Sequence, residues 1–457
     1  MYFGVITSRV KSDNSRQSLR TLAKRIGKTE TNRMRIFNEL ESNVRSYSRL
    51  FPTVFKKAQG AILEDKQGFK YIDFLCGVGT LNYGHNNPQL KERLIRYIES
   101  DGIIHGLDLA TVAKEEFLET FAAIILEPRQ LNYKVQFPGP TGTNAVEAAL
   151  KLARKITGRE NVIAFSNGYH GVTLGSLATT AKASQRAAAG ISTTGVTFIP
   201  YDGYLGEAID TTEYLDKVLS DVGSGVTLPA AVIVETIQGA GGVNVARFEW
   251  LRSLENVCRK YDVILIVDDI QVGCGRTGSF FSFEDIGISP DIVTLSKSLS
   301  GFGLPFSLVL IKPEFDQWKP GQHSGTFRGP NLAFVTAKAA LDIYWQDDSL
   351  SATVKEKGAR MQSRLEAIAK NNRSKGFSVR GRGMIQGLDC QDGNLADQIL
   401  RTAFAKGLIM ENAGAQGQVI RCLPPLTVSD EILEKGLNLL EKVVNEVVQE
   451  EHINKCR

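Results

Sequence analysis

Between Tyr133 and Ile311, short apolar runs rich in β-branched residues recur, and most of the intervals between them leave room for a helix. The runs are Tyr133–Phe137, Val162–Phe165, Val196–Ile199, Ala231–Glu235, Val263–Val267, Ile292–Leu295 and Leu308–Ile311. Most are near-continuously apolar, the signature of strands buried on both faces. Amphipathic stretches lie between them. In Asn144–Ile156 the residues Val146, Ala149, Leu150 and Ala153 share one helical face, and Phe248–Tyr261 reads as a second helix. Strands alternating with helices predict an α/β fold with a mostly parallel seven-stranded sheet covered on both sides. Residues 88–336 are therefore expected to form one large domain. Residues 41–87, with strand-like pieces at Ala61–Glu64 and Tyr71–Leu75, and residues 337–457, with patches at Phe377–Val379 and Gln418–Cys422, are expected to form smaller α+β parts.

Charge and composition exclude several function classes. No run of about 18 apolar residues occurs, so no membrane-spanning helix is expected. A net charge of +4 over 457 residues is too small to suggest nucleic acid. Nine Lys or Arg against two acidic residues fall within the first 36 positions. Residues 1–40 thus read as a basic extension, either simply solvated or with the composition of an organelle transit peptide. Six cysteines without CxxC spacing read as reduced thiols of a cytoplasmic protein, with no metal site expected.

Three elements carry chemistry. In Val263-Ile-Leu-Ile-Val-Asp-Asp-Ile-Gln271 a buried strand ends in a carboxylate, Asp268. Ligands of open α/β sheets bind at such carboxyl ends, although an aspartate there also serves as a turn or helix cap. In Asp291-Ile-Val-Thr-Leu-Ser-Lys-Ser298 a second apolar strand delivers Lys297 into a Ser/Gly-rich bend, where a structural lysine would face solvent. Gly139-Pro-Thr-Gly-Thr-Asn144 opens a helix with small residues, so its backbone N–H groups can cradle a phosphate. Neither GxxxxGK[ST] nor GxGxxG occurs in that loop, which disfavours a nucleotide.

Taken together, these elements resemble the class III aminotransferases of fold type I, enzymes that use pyridoxal 5'-phosphate. The likeness runs from about Glu41 into the C-terminal region. Its motifs are Asn167-Gly-Tyr-His-Gly171, Val234-Glu-Thr-Ile-Gln-Gly239, Val267 to Gly278, Ser296-Lys-Ser298 and His323-Ser-Gly-Thr-Phe-Arg-Gly-Pro330. The resemblance implies that Lys297 binds the cofactor as a Schiff base and shuttles a proton, and that Asp268 pairs with the pyridine nitrogen. By the same resemblance Tyr169 stacks on the ring, Gln271 meets its phenolic oxygen, and Gly142 and Thr143 hold the phosphate. Thr326 would join them from a partner subunit, implying a homodimer with shared sites that could assemble further. Arg421 matches the family arginine that binds the α-carboxylate of glutamate as a bidentate fork.

One departure stands out. Many relatives acting on ω-amino groups carry a glutamate that masks this arginine where the present chain has Ala240. Arg421 is then expected to stay unpaired, or to find another partner such as Glu235. Within the class, Glu41–Pro52, Asp73–Pro88, Asp101–Asp108 and Ser296–Pro305 look most like diaminobutyrate:2-oxoglutarate aminotransferases. The implied reaction moves the amino group of L-glutamate to L-aspartate 4-semialdehyde. Ornithine, acetylornithine and 4-aminobutyrate aminotransferases share the catalytic set and are the alternatives, followed by an aminomutase of the same fold. Glycine-rich Cys76–Thr80 is a candidate substrate-side turn.

Overall fold

The computed structural model describes residues 34–455. Most of the basic extension thus lies outside the described residues, as does Cys456. Residues Arg35–Leu40 form a short helix.

The described residues divide into two compact units, 34–58 with Leu63–Tyr71, and Gln59–Ile62 with 72–455. In the smaller unit Asp65 organises a tight turn. Its carboxylate accepts hydrogen bonds from Gln67 N and Phe69 N, both at 2.9 Å, from Thr53 Oγ1 at 3.1 Å and from Tyr71 OH at 3.3 Å. Burial alone would raise its pKa; the four bonds together bring it below the ordinary value.

The larger unit is built on the seven-stranded sheet. Its strands are β1 (Lys134–Gln136), β2 (Val162–Phe165), β3 (Val196–Ile199), β4 (Ala231–Val234), β5 (Ile264–Asp268), β6 (Ile292–Leu295) and β7 (Leu308–Ile311). Their spatial order is β1-β7-β6-β5-β4-β2-β3. Only β7 opposes its neighbours, β6 and β1. Strands β2, β4, β5, β6 and β7 are buried at every residue, as their unbroken apolar runs require.

Helix α1 (Gly142–Thr157) covers one face. Its Ala145, Val146, Ala149 and Leu152 pack with Ile264, Ile266, Ile292 and Val309. Gly158, at φ +66°, ends it in the left-handed region that a side chain would strain. Helix α2 (Phe248–Lys260) joins the core on the opposite face, where Trp250, Leu251 and Leu254 cluster with Leu265, Val267 and Val293. Alternate residues of β5 thus serve different layers, and each buried Ile, Leu or Val contributes roughly 1.5–3 kcal/mol.

Beyond Ala337 the predicted α+β part holds a four-stranded antiparallel sheet. Its order is Ser378–Arg382, Ile385–Asp389, Val419–Cys422, Glu411–Ala413. Helices Ser349–Asn371, Gly393–Ala405 and Asp430–Lys455 accompany it. Two of these strands carry no apolar pattern that marks them: Gly387 interrupts one, and Glu411-Asn-Ala is too polar and short. No helix among the described residues is long and apolar enough to cross a membrane.

Candidate active site

Parallel pairing of β5 with β6 sets Asp268 beside Thr294, and Lys297 follows three residues later. Two apolar strands therefore deliver a carboxylate and an amine to the same, carboxyl end of the sheet. Asp268 is 4% exposed, a costly place for a charge without partners. It has three: His170 Nδ1 lies 2.7 Å from Oδ2, while Thr294 Oγ1 and Ile270 N each donate to Oδ1 at 3.2 Å. Burial pulls the His170 pKa down, but the hydrogen bond and negative charge of Asp268 carry it above the ordinary value.

Lys297 is half-buried, and its φ of +50° is a left-handed conformation unusual for a residue with a side chain. Burial first, then the positive charge of Arg421, pushes its amine down to about 8; Glu411, Asp268 and Glu235 pull the other way. Among the described residues the Lys297 ammonium makes no ion pair.

The predicted phosphate loop starts α1 beside this pair. A Cβ on Gly142 would lie 2.9 Å from Ile270 Cδ1, so glycine lets the helix start pack closely against the Ile270 side chain that follows β5. Asn144 Oδ1 accepts from Thr141 N at 3.2 Å and closes the turn. Thr143 Oγ1 lies 2.6 Å from both Thr173 Oγ1 and Ser176 Oγ. The Asn167–Gly171 loop passes close by, since a Cβ on Gly171 would fall 2.5 Å from Thr143 Oγ1. Half-buried Tyr169 donates its backbone N–H to Glu235 Oε1 at 2.9 Å. Burial foremost raises the Glu235 carboxyl to about 7.

Arg421 takes the second of the two expected outcomes, with a different partner. Arg421 is buried, at 3% exposure, and paired. Its partner is Glu411, on the adjacent strand at the directly opposed position, and not Glu235. Antiparallel pairing brings these two side chains to neighbouring positions on one sheet face, which Glu235 cannot match from the end of β4. Arg421 Nη1 also donates to Gln271 Oε1 at 2.8 Å, and Gln271 Nε2 donates to Val78 O at 3.2 Å. Val78 belongs to the Cys76–Thr80 turn, which therefore lies against Gln271. At position 240 the backbone contributes instead, as Ala240 O accepts from Gly414 N at 3.0 Å.

Asp268, Lys297, Gln271, Arg421, Gly142, Thr143 and Tyr169 are thus linked through shared partners and neighbours around the end of β5. Thr326 stands apart, on an exposed turn (Thr326–Arg328), with no hydrogen bond among the described residues. Sequence reasoning assigned nothing to His170 and Glu411. The first could have been found as a histidine inside a motif already singled out. The second had no local signal, because strand register alone brings it to Arg421.

These residues fit pyridoxal phosphate. An amine of lowered proton affinity faces the environment of a buried carboxylate backed by imidazole, and a glycine-start helix offers N–H groups next to them. That combination defines the class: a pyridoxal-phosphate-dependent transferase on a fold type I sheet. The aminotransferase class-III family model matches residues 44–444, and the chain belongs to that family. It is 57% identical to a diaminobutyrate–2-oxoglutarate transaminase of Bordetella parapertussis, covering 92% of this chain and 96% of the relative. It is 56% identical to the enzyme of that name from Halomonas elongata, over 89% and 97%. Among solved structures, ornithine aminotransferase of Toxoplasma gondii superposes with a TM-score of 0.80 at 28% identity, covering 94% of this chain and 98% of that one. The protein is thus an aminotransferase acting on amino and keto acids with pyridoxal phosphate as cofactor.

Proposed function

We propose that this aminotransferase moves the amino group of L-glutamate to L-aspartate 4-semialdehyde, giving 2-oxoglutarate and L-2,4-diaminobutyrate. The observation that carries the reading is identity above half, over nine-tenths of the chain, to transaminases named for that pair. Buried Arg421 supports it, since a guanidinium fork suits the α-carboxylate of glutamate.

Bound pyridoxal phosphate supplies the aldehyde that accepts an amine and the ring that draws electrons from the substrate's α-carbon. In this reading Lys297 Nζ would hold the cofactor and, when free, would carry the proton removed from that carbon. Asp268 keeps the ring nitrogen protonated, and the 2.7 Å bond from His170 fixes Asp268 for that task. Tyr169 would stack on the ring, Gln271 would hydrogen-bond its phenolic oxygen, and Gly142 and Thr143 would hold the phosphate. Residues 88–336 form the cofactor-binding domain, with 41–87 and 337–457 as smaller parts and 1–40 as an extension.

The active form in this reading is a cytoplasmic homodimer in which Thr326 completes the partner's phosphate site. Support comes from exposed apolar residues next to that turn. Leu107, Leu109, Val112 and Phe327 are all exposed, and His105 bridges to Pro330. Mixing inactive Lys297→Ala with an inactive Thr326 variant should regenerate activity; a fully active monomer contradicts the shared site. For the substrates, the decisive assay offers glutamate with aspartate semialdehyde beside ornithine and 4-aminobutyrate. A preference for either of the latter overturns the assignment.

A further inference from the structure

Two substrates of different shape have to use one guanidinium. Glutamate reacts through an amine on the carbon that bears its carboxylate. Diaminobutyrate reacts through an amine two carbons further away, so its carboxylate sits elsewhere when the nitrogen reaches the same place. A carboxylate at position 240 would neutralise Arg421 in the second case, but Ala240 supplies none.

The neighbouring strand supplies one. Glu411 and Arg421 face each other in register across the antiparallel pair Glu411–Ala413 and Val419–Cys422, and their side chains are only 8% and 3% exposed. Glu411 engages Nη2, and Gln271 Oε1 takes Nη1 at 2.8 Å from a different element. Both prongs of the fork are therefore occupied by groups of the chain itself. The remaining donor, Nε, is buried with no hydrogen-bond partner among the described residues. An incoming carboxylate can only bind bidentately by taking the place of these internal acceptors. Conversely, a buried guanidinium stripped of its counter-charge is strongly unfavourable, so it has to be re-covered whenever no substrate carboxylate is present. Because register fixes both Cα positions, the exchange needs side-chain rotation and no strand movement.

We propose that Glu411 is a specificity-determining residue: it occupies Arg421 while the ω-amine substrate reacts and yields it to the α-carboxylate of glutamate. The proposal rests on the substrate reading above. It assigns the masking role to a strand-borne glutamate ten residues before the arginine in sequence.

The test uses holoenzyme and glutarate, a dicarboxylate with no amine. Glu411→Gln removes the competing charge, so calorimetry should give a glutarate Kd roughly tenfold lower than wild type. Stopped-flow of the separate half-reactions should show a lower KM for glutamate and a slower reaction with diaminobutyrate. A purely structural role predicts the reverse, weaker binding of every ligand. Unchanged or weaker glutarate binding, or equal damage to both half-reactions, overturns the proposal. If Glu411→Gln does not fold, Glu411→Asp, which keeps the charge and shortens the reach, carries the same measurement with a smaller shift of the same sign. If wild type ignores diaminobutyrate while Glu411→Gln still tightens glutarate, the substrate reading fails and the competition for Arg421 stands. Flat glutarate affinity with an active diaminobutyrate half-reaction gives the opposite result.

Discussion

The two ends of the site are built differently. At the strand ends, Asp268 and Lys297 follow apolar runs on adjacent parallel strands, where register sets Asp268 beside Thr294, three residues before Lys297. At the guanidinium end, register likewise opposes Glu411 to Arg421, but Gln271 comes from a different element and the three groups meet only through side-chain hydrogen bonds. The first arrangement is rigid, set by a sheet buried on both faces. The second is a set of exchangeable hydrogen bonds. In the proposed mechanism, chemistry common to every substrate sits on the strand-end part, and discrimination between substrates on the exchangeable part.

Substitutions at the two ends should therefore differ in kind. Lys297→Ala should have the largest effect, removing turnover by several orders of magnitude with all substrates alike. Borohydride reduction of wild type followed by peptide mapping checks it, and label on another lysine refutes the assignment. Asp268→Asn comes next, with kcat falling on the order of a hundred- to a thousandfold for both half-reactions. It also removes the charge that raises His170, so burial should then lower that histidine's pKa, which NMR titration reads. Unequal damage to the half-reactions would break the contrast between the two ends.

A pH experiment gives a smaller effect. In the role proposed for Lys297 only its neutral amine can attack the cofactor's aldehyde, and its pKa of about 8 lies below the ordinary lysine value. Capture of pyridoxal phosphate by apoenzyme should therefore speed up with rising pH and level off above about 8. Between pH 7 and 8 the gain is about fivefold. A rate still climbing steeply toward pH 10 would mean an unperturbed lysine. The smallest effect is expected from Gly239→Ala. Its Cβ would lie 1.7 Å from Gln271 Oε1 and 3.1 Å from Arg421 Nη1, displacing a flexible side-chain tip and with it the bond to Arg421. The glutamate KM should shift a few-fold while Tm hardly moves; a collapse in stability would show that the glycine serves packing instead.

Much of the sheet was legible because its residues face the same environment on both sides. Val162–Phe165, Val196–Ile199, Ile292–Leu295 and Leu308–Ile311 form strands over the ranges their apolar runs predict. Helices α1 and α2 agree with their predicted bounds to within two residues. The Cys76–Thr80 turn was legible only as glycine-rich. That Cys76 and Val78 also take positive φ, at 55° and 59°, is set by the surrounding contacts and not by their side chains.

By itself, the sequence determined the parallel sheet, the strand-end carboxylate and amine, and the glycine-start helix, because each depends on local pattern and backbone permissiveness. Tertiary structure decided what those groups touch: His170 behind Asp268, Gln271 spanning from Val78 to Arg421, and Glu411 in place of an acidic residue at position 240. These pairings join residues 10 to 193 positions apart. Such contacts follow from strand register and the closing of the core, which no local stretch of the chain encodes.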